Sequence, residues 1–138
     1  MVRILIADTE KQLIADFKKY LAKNEKDMKI VKVIKDGSKV EKAYDKYQPD
    51  ILIMELDLPK KNGVEIIDDL CMDMRYKTKC DIIVFSRALN KFIFNYMEKV
   101  NIVLDKNCEF SEVCKAIRRV YKFNNYQYEK FKLQNISE

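Results

Sequence analysis

The amino-acid sequence predicts an α/β fold, a five-stranded parallel sheet with helices on both faces, and three observations carry that prediction. Short apolar runs alternate with stretches of helical periodicity five times along 138 residues. Most of these runs are continuous rather than alternating with polar residues, as expected of strands buried on both sides of a covered sheet. Four of the five stop at a residue that can do chemistry: Asp8, Glu55, Ser86 and the Asp105-Lys106 pair. Five β-then-α units with right-handed crossovers leave few ways to wind the chain.

The first run, Val2 to Ala7, ends at Asp8, and Leu13, Ile14, Phe17, Tyr20 and Leu21 then mark one face of a helix. The second run, Lys29 to Lys35, carries lysines through its length, the usual protection of an edge strand against pairing with another chain. Val40, Ala43, Tyr44 and Tyr47 give a second helix, which Ser38-x-x-Glu41 opens with capping-box spacing. The third run is the centre of the chain. Ile51, Leu52, Ile53 and Met54 lead directly into Glu55, and Pro59 and Asn62-Gly63 break the backbone before the next helix.

That third helix is marked by Ile66, Ile67, Leu70, Cys71 and Met74. Ile82 to Phe85 form the fourth strand, ending at Ser86, and Phe92, Ile93, Tyr96, Met97 and Val100 mark a fourth helix with Phe94 off its core face. Ile102 to Leu104 form the fifth strand. A last helix follows on Val113, Ile117, Val120 and Tyr121, with Ser111 placed as its N-cap. Residues 1–122 read as one domain, and 123–138 as an extension of the last helix or a linker.

Composition narrows the function classes. No apolar run approaches the roughly 20 residues of a membrane span, and the chain enters a strand with no leader, so a cytoplasmic protein without membrane contact is expected. The net charge of +5 comes from 27 basic and 22 acidic residues interspersed along the chain, which describes a solvated surface rather than a nucleic-acid footprint. With 2 glycines there is no phosphate-cradling glycine-rich loop. The absence of histidine removes the commonest general base and the Ser-His and Cys-His pairs, and no enzymatic centre is expected. Cys71, Cys80, Cys108 and Cys114 lack paired metal-ligand spacing and read as reduced thiols.

The strand ends are the candidate site. In open α/β sheets ligands bind outside the carboxyl ends of the strands. Carboxylates there can hold a hard cation, a hydroxyl can donate, and a lysine supplies a point charge. That is the set formed by Asp8, Glu55, Ser86 and Lys106.

These residues resemble a response-regulator receiver domain of the CheY-like, flavodoxin-like type over roughly residues 2 to 122. I-L-I-A-D-T-E-K resembles the family's first strand with its acidic pair, and D-I-L-I-M-E-L-D-L-P-K-K-N-G its third strand with the phosphoacceptor. V-F-S resembles the fourth strand with its hydroxyl, and V-L-D-K the fifth with its lysine. The stretch from Lys106 to Tyr121 is similar to NarL-type regulators, and the N-terminal half to sporulation-type receivers. The resemblance implies strand order 2-1-3-4-5 and signalling in a two-component phosphorelay, regulating transcription through an output domain not present in these residues.

The resemblance also assigns roles. Glu55 stands at the phosphoacceptor position, Ser86 is the switch hydroxyl, and Lys106 binds phosphoryl oxygens. Asp8, Glu55 and Asp57 would face a magnesium ion, Asp57 through its backbone carbonyl. The implied partners are a sensor histidine kinase, where phosphorylation is retained, and a second copy through the fourth helix, fifth strand and fifth helix, where Phe94 is the candidate exposed aromatic. DNA contact would require the output domain.

Four positions depart from the family pattern: Glu55 replaces Asp, Thr9 replaces the second acid, Val103 the switch aromatic, and Asn107 a proline that often follows the lysine. The longer side chain carries the carboxylate about 1.5 Å further from the backbone, whereas in-line transfer needs reacting atoms near about 3 Å. Thr9 removes a charge from the metal site, so magnesium is expected to bind weakly or not at all, with Glu10 and the Asp57 side chain as the nearest compensating carboxylates. Glu55 also places a fixed negative charge part-way to where an acyl phosphate would lie, within reach of Ser86 and Lys106. The expectation that follows is an atypical receiver in two-component signalling, its switch biased by Glu55; the alternatives are a module used only for protein interaction or dimerisation, and a receiver that still accepts phosphate at Glu55 or Asp57.

Overall fold

The computed structural model describes residues 1–72, 81–87, 89 and 99–122. Five strands, β1 (Val2–Ala7), β2 (Met28–Ile34), β3 (Ile51–Met54), β4 (Ile82–Ser86) and β5 (Ile102–Asp105), form one sheet in the order β2-β1-β3-β4-β5. Every pairing is parallel. This is the order expected of the CheY-like fold. It places β1 and β3 side by side at the point where the winding reverses, the position at which α/β sheets open a crevice beyond their carboxyl ends.

Continuous apolar strands are explained by two cores, one on each face. Ile4 and Ile6 of β1, Ile51 and Ile53 of β3 and Ile83 and Phe85 of β4 pack with α1 (Lys11–Asn24) and a helix over residues 110–122. Their neighbours Leu5, Ala7, Leu52, Met54, Ile82 and Val84 point the other way, onto α2 (Val40–Tyr47) and α3 (Gly63–Met72). Successive side chains alternate between faces, and burying a Leu or Ile side chain contributes roughly 1.5–3 kcal/mol. β2 is the edge strand with exposed Lys29 and Lys32, and a bulge skips Val31 where Ile4 pairs with Ile30 but Leu5 with Lys32.

Two predicted caps are corrected. Ser38 does not cap α2: a short 3-10 turn, Gly37–Lys39, precedes that helix, and the Asp36 carboxylate accepts from both the Ser38 amide, at 2.9 Å, and its hydroxyl. Glu41 is drawn instead to the Lys61 ammonium. Ser111 lies inside the first turn of the helix over 110–122, where the Glu109 carbonyl accepts from the amides of Glu112 and Val113. Conversely, Asn62, read only as a breaker, caps α3, taking the Glu65 amide at 2.9 Å while its own amide reaches the Glu65 carboxylate.

Gly63 matters for close approach rather than for its dihedrals. A Cβ there would lie 2.8 Å from Leu56 Cα and 3.1 Å from the Glu55 carbonyl oxygen. Its amide donates to the Leu56 carbonyl at 2.8 Å, so α3 starts pressed against the backbone that leaves β3. The predicted fourth helix lies outside the described residues, Phe94 included, save for its last marker, Val100, which is buried; Met74 of the third helix, Cys80 and residues 123–138 also lie outside them.

Candidate functional site

Each predicted site residue sits at a strand end because the ladder puts it there. Ala7 pairs with Met54, Met54 with Val84, and Ser86 with Asp105, so Asp8, Glu55, Ser86 and Lys106 arrive at one edge in register. The ladder hydrogen bonds run on past the strands: Glu55 N–H donates to the Ala7 carbonyl at 2.9 Å, Asp8 N–H to Ile34 at 3.0 Å, and Lys106 N–H to Ser86 at 3.2 Å. Backbone position is therefore fixed before side chains meet.

The side chains form a closed cage. Among the described residues, Asp8, Glu55, Ser86 and Lys106 are the buried polar or charged ones. The Lys106 ammonium, whose side chain is 0% exposed, lies 2.9 Å from Asp8 Oδ2 and 2.8 Å from Glu55 Oε1 and pairs also with Glu10 Oε2. Glu55 Oε2 accepts the Ser86 hydroxyl, the Leu56 amide at 2.6 Å and the Asp57 amide at 3.4 Å. Asp8 Oδ1 accepts the Glu10 amide at 2.9 Å. A buried charge is tolerated only when paired and hydrogen-bonded, and every charge here is both.

The electrostatics follow from that pairing. Burial pushes the Glu55 carboxyl up, but the Lys106 ammonium, the Ser86 hydroxyl and the Leu56 amide outweigh it and leave Glu55 below the ordinary glutamate value. Burial likewise pushes Lys106 down, and Glu10, Glu55 and Asp8 together carry it above the ordinary lysine value. Glu10 is held below its usual range by Arg87 and Lys106. The cage is a set of charged partners, not of neutral ones.

Arg87 is the site residue that the sequence passed over, and Glu10, expected only as a compensating carboxylate for a metal, pairs with Lys106 instead. Glu10 opens α1 as its N-cap residue, yet its carboxylate makes no cap bond; it turns to Lys106 and is held from outside by Arg87, 3.1 Å and 3.3 Å away. Both lie one or two residues past the strand end that identified Asp8 and Ser86, which is the signal that would have found them. Thr9 is exposed, and so is Asp57, which reaches the cage through its amide alone among the interactions described.

The carboxylates do not fit a divalent cation as they stand. Both oxygens of Asp8 and both of Glu55 already take donors, and the positive charge at their meeting point is an ammonium. Hard cations need several free oxygen ligands.

A family model described as the response regulator receiver domain matches residues 4–118. The transcriptional regulatory protein DegU of Brevibacillus brevis is 33% identical over 69 residues, covering 50% of this chain and 29% of that protein. HptR of Staphylococcus aureus strain N315, also a transcriptional regulatory protein, is 23% identical over 86 residues, 62% of this chain and 32% of its own length. The chain thus spans about a third of these curated relatives. Among solved structures, the receiver domain of AraT, a response regulator from Geobacillus stearothermophilus, superposes with a TM-score of 0.77 over 92% of this chain and 98% of that one, at 18% identity. The signal receiver domain of the NarL response regulator from Mycobacterium tuberculosis gives 0.75 over 88% and 96%, at 15% identity.

Proposed function

The chain belongs to the response regulator receiver domain family, and we propose that within it this receiver is set by its own Glu55 rather than by a phosphoryl group. One observation carries the reading. Glu55 draws in the switch hydroxyl of Ser86 with one carboxylate oxygen and holds Lys106 with the other. In the family's phosphorylated state those two residues would instead contact phosphoryl oxygens.

A receiver is a two-state element, and a substitution biases it only by interacting differently with the two states. Charge-assisted hydrogen bonds of this kind supply about 1–2 kcal/mol of such bias, on the order of tenfold in the ratio of states. A Glu55 that must also attack a phosphodonor would do so from an oxygen already held by Lys106 or by Ser86, which draws electron density away from it. Magnesium binding that is weak or absent belongs to the same proposal, because Lys106 already neutralises the carboxylates.

The wider role follows the relatives. DegU and HptR are transcriptional regulators about three times the length matched here, so control of transcription through an output domain is proposed, with DNA contact belonging to that domain. A sensor histidine kinase is a partner only where phosphoryl transfer persists. Self-association through β5 and the helix over 110–122 with the fourth helix is retained as the family's mode. A cytoplasmic location is proposed with it; among the described residues no helix is long and apolar enough to cross a membrane.

The test is amide hydrogen exchange across residues 82–87 and 102–108, with and without acetyl phosphate and magnesium. The expected result is exchange that ignores the phosphodonor and accelerates in Glu55→Ala. A parent protein whose exchange responds to the phosphodonor, and a Glu55→Ala variant that matches it, contradict the proposal.

A further inference from the structure

Three carboxylates and one guanidinium surround the Lys106 ammonium, and their arrangement bears on more than the switch. Asp8 and Glu55 grip it from the sheet, at 2.9 and 2.8 Å. Glu10 closes the third side from the loop that opens α1, and Arg87, one residue past Ser86, pins Glu10 from the solvent side. We infer that Lys106 is the resident counter-cation of a three-carboxylate cage in which Glu10 is the third ligand, so that the closed cage and a divalent cation exclude one another.

Geometry supports exclusion. The three carboxylates carry three negative charges; the Lys106 ammonium offsets one and Arg87 at the rim a second, so the cluster keeps one net negative charge and it is the occupied position, not the charge balance, that keeps a second cation out. A divalent cation entering between Asp8 and Glu55 would have to push an ammonium whose side chain is fully buried out of contact with both, towards the rim where Glu10 pairs with Arg87. Thr9, the position where the family supplies a second acid, is exposed. Glu10, one residue further, brings a carboxylate back to the cage on a longer side chain. Remove the ammonium while keeping its volume, and the three carboxylates that share it as things stand lose it together, leaving oxygen donors of the kind a hard cation takes.

The inference rests on the proposed Glu55-set cage for its geometry, but its test involves no phosphoryl transfer, so the two fail separately. The full chain, Lys106→Met, and Lys106→Met with Glu10→Gln are titrated with Mn2+, and free ion is read by electron paramagnetic resonance. The expected result is at least tenfold tighter binding in Lys106→Met than in the parent, with most of that gain lost when Glu10→Gln is added. Parent binding as tight as that of the single variant overturns the inference, as does a folded single variant that gains no affinity. A gain that survives Glu10→Gln overturns the role of Glu10. Should Lys106→Met fail to fold, paramagnetic broadening in the parent decides alone: amides of Glu10, Glu55 and Leu56 that stay sharp with stoichiometric Mn2+ agree with the closed cage, and amides that broaden there refute it.

Discussion

Two lysines in this molecule are each clasped by carboxylates from different elements, and they differ in where the clasp lies. Lys61 reaches Glu41 of α2 and Asp69 of α3 with its side chain 23% exposed and its partners 39% and 52% exposed. Lys106 reaches Asp8 and Glu55 with 0%, 5% and 7% exposed. The pairwise chemistry is the same, but water screens the first and not the second. A solvent-facing pair is worth about 0–1 kcal/mol, whereas removing one partner of a buried pair strands the others and costs about 3–5 kcal/mol. The Lys61 clasp therefore trims the packing of two helices, and the Lys106 cage decides whether the strand ends can stay together.

The sharpest way to break the comparison is to neutralise both lysines in turn. Lys106→Met is expected to lose about 3–5 kcal/mol of unfolding free energy and Lys61→Met under about 1 kcal/mol, read from urea denaturation at neutral pH. Equal losses would mean that burial does not separate the two clusters. Next in size is Ser86→Ala, which leaves Glu55 Oε2 with backbone donors alone and is expected to cost about 1–3 kcal/mol.

Acid sharpens the same contrast through linkage. Glu55 and Glu10 titrate below their ordinary values in the native protein, so the stability they contribute is complete above the ordinary glutamate value and is lost as pH falls through the lowered ones. Lys106 is raised, so its contribution is complete below the ordinary lysine value and lost as pH rises through the raised one. In Lys106→Met the carboxylates lack their cation and prefer to protonate. The stability gap between parent and Lys106→Met is thus expected to narrow as pH is lowered below the glutamate range, and a gap that widens in acid would contradict the pairing. The smallest effect is on packing: Gly63→Ala forces its methyl against Leu56 Cα and the Glu55 carbonyl and is expected to lower the melting temperature through strain.

The fold and four of the six site residues were legible because both follow from local pattern. A strand buried on two faces must be apolar throughout, and the first residue past its end must be polar, so Asp8, Glu55, Ser86 and Lys106 announced themselves together. Arg87 did not, and Glu10 was named only as a carboxylate that could compensate for Thr9 at the metal, not as a partner of Lys106, because their pairing depends on side chains crossing from one loop to another over 77 residues of sequence. The Ser38 capping box failed for the same reason: Asp36 competed locally for the serine, and Lys61 competed from afar for Glu41. Spacing identifies a motif, and competition among partners decides whether it forms.

The central claim is that Glu55 fixes the switch and does not accept phosphate. Its most direct test is the rate of labelling from acetyl phosphate with magnesium, followed by intact-mass spectrometry, for the parent, Glu55→Asp, Thr9→Asp and the double variant. Acceptor geometry and metal ligation act on one transition state, so their effects are not additive. The expected result is an unlabelled parent, slow labelling of Glu55→Asp, and a rate for the double variant exceeding the sum of the singles. A parent labelled as fast as the double variant would make Glu55 a working acceptor and contradict the account.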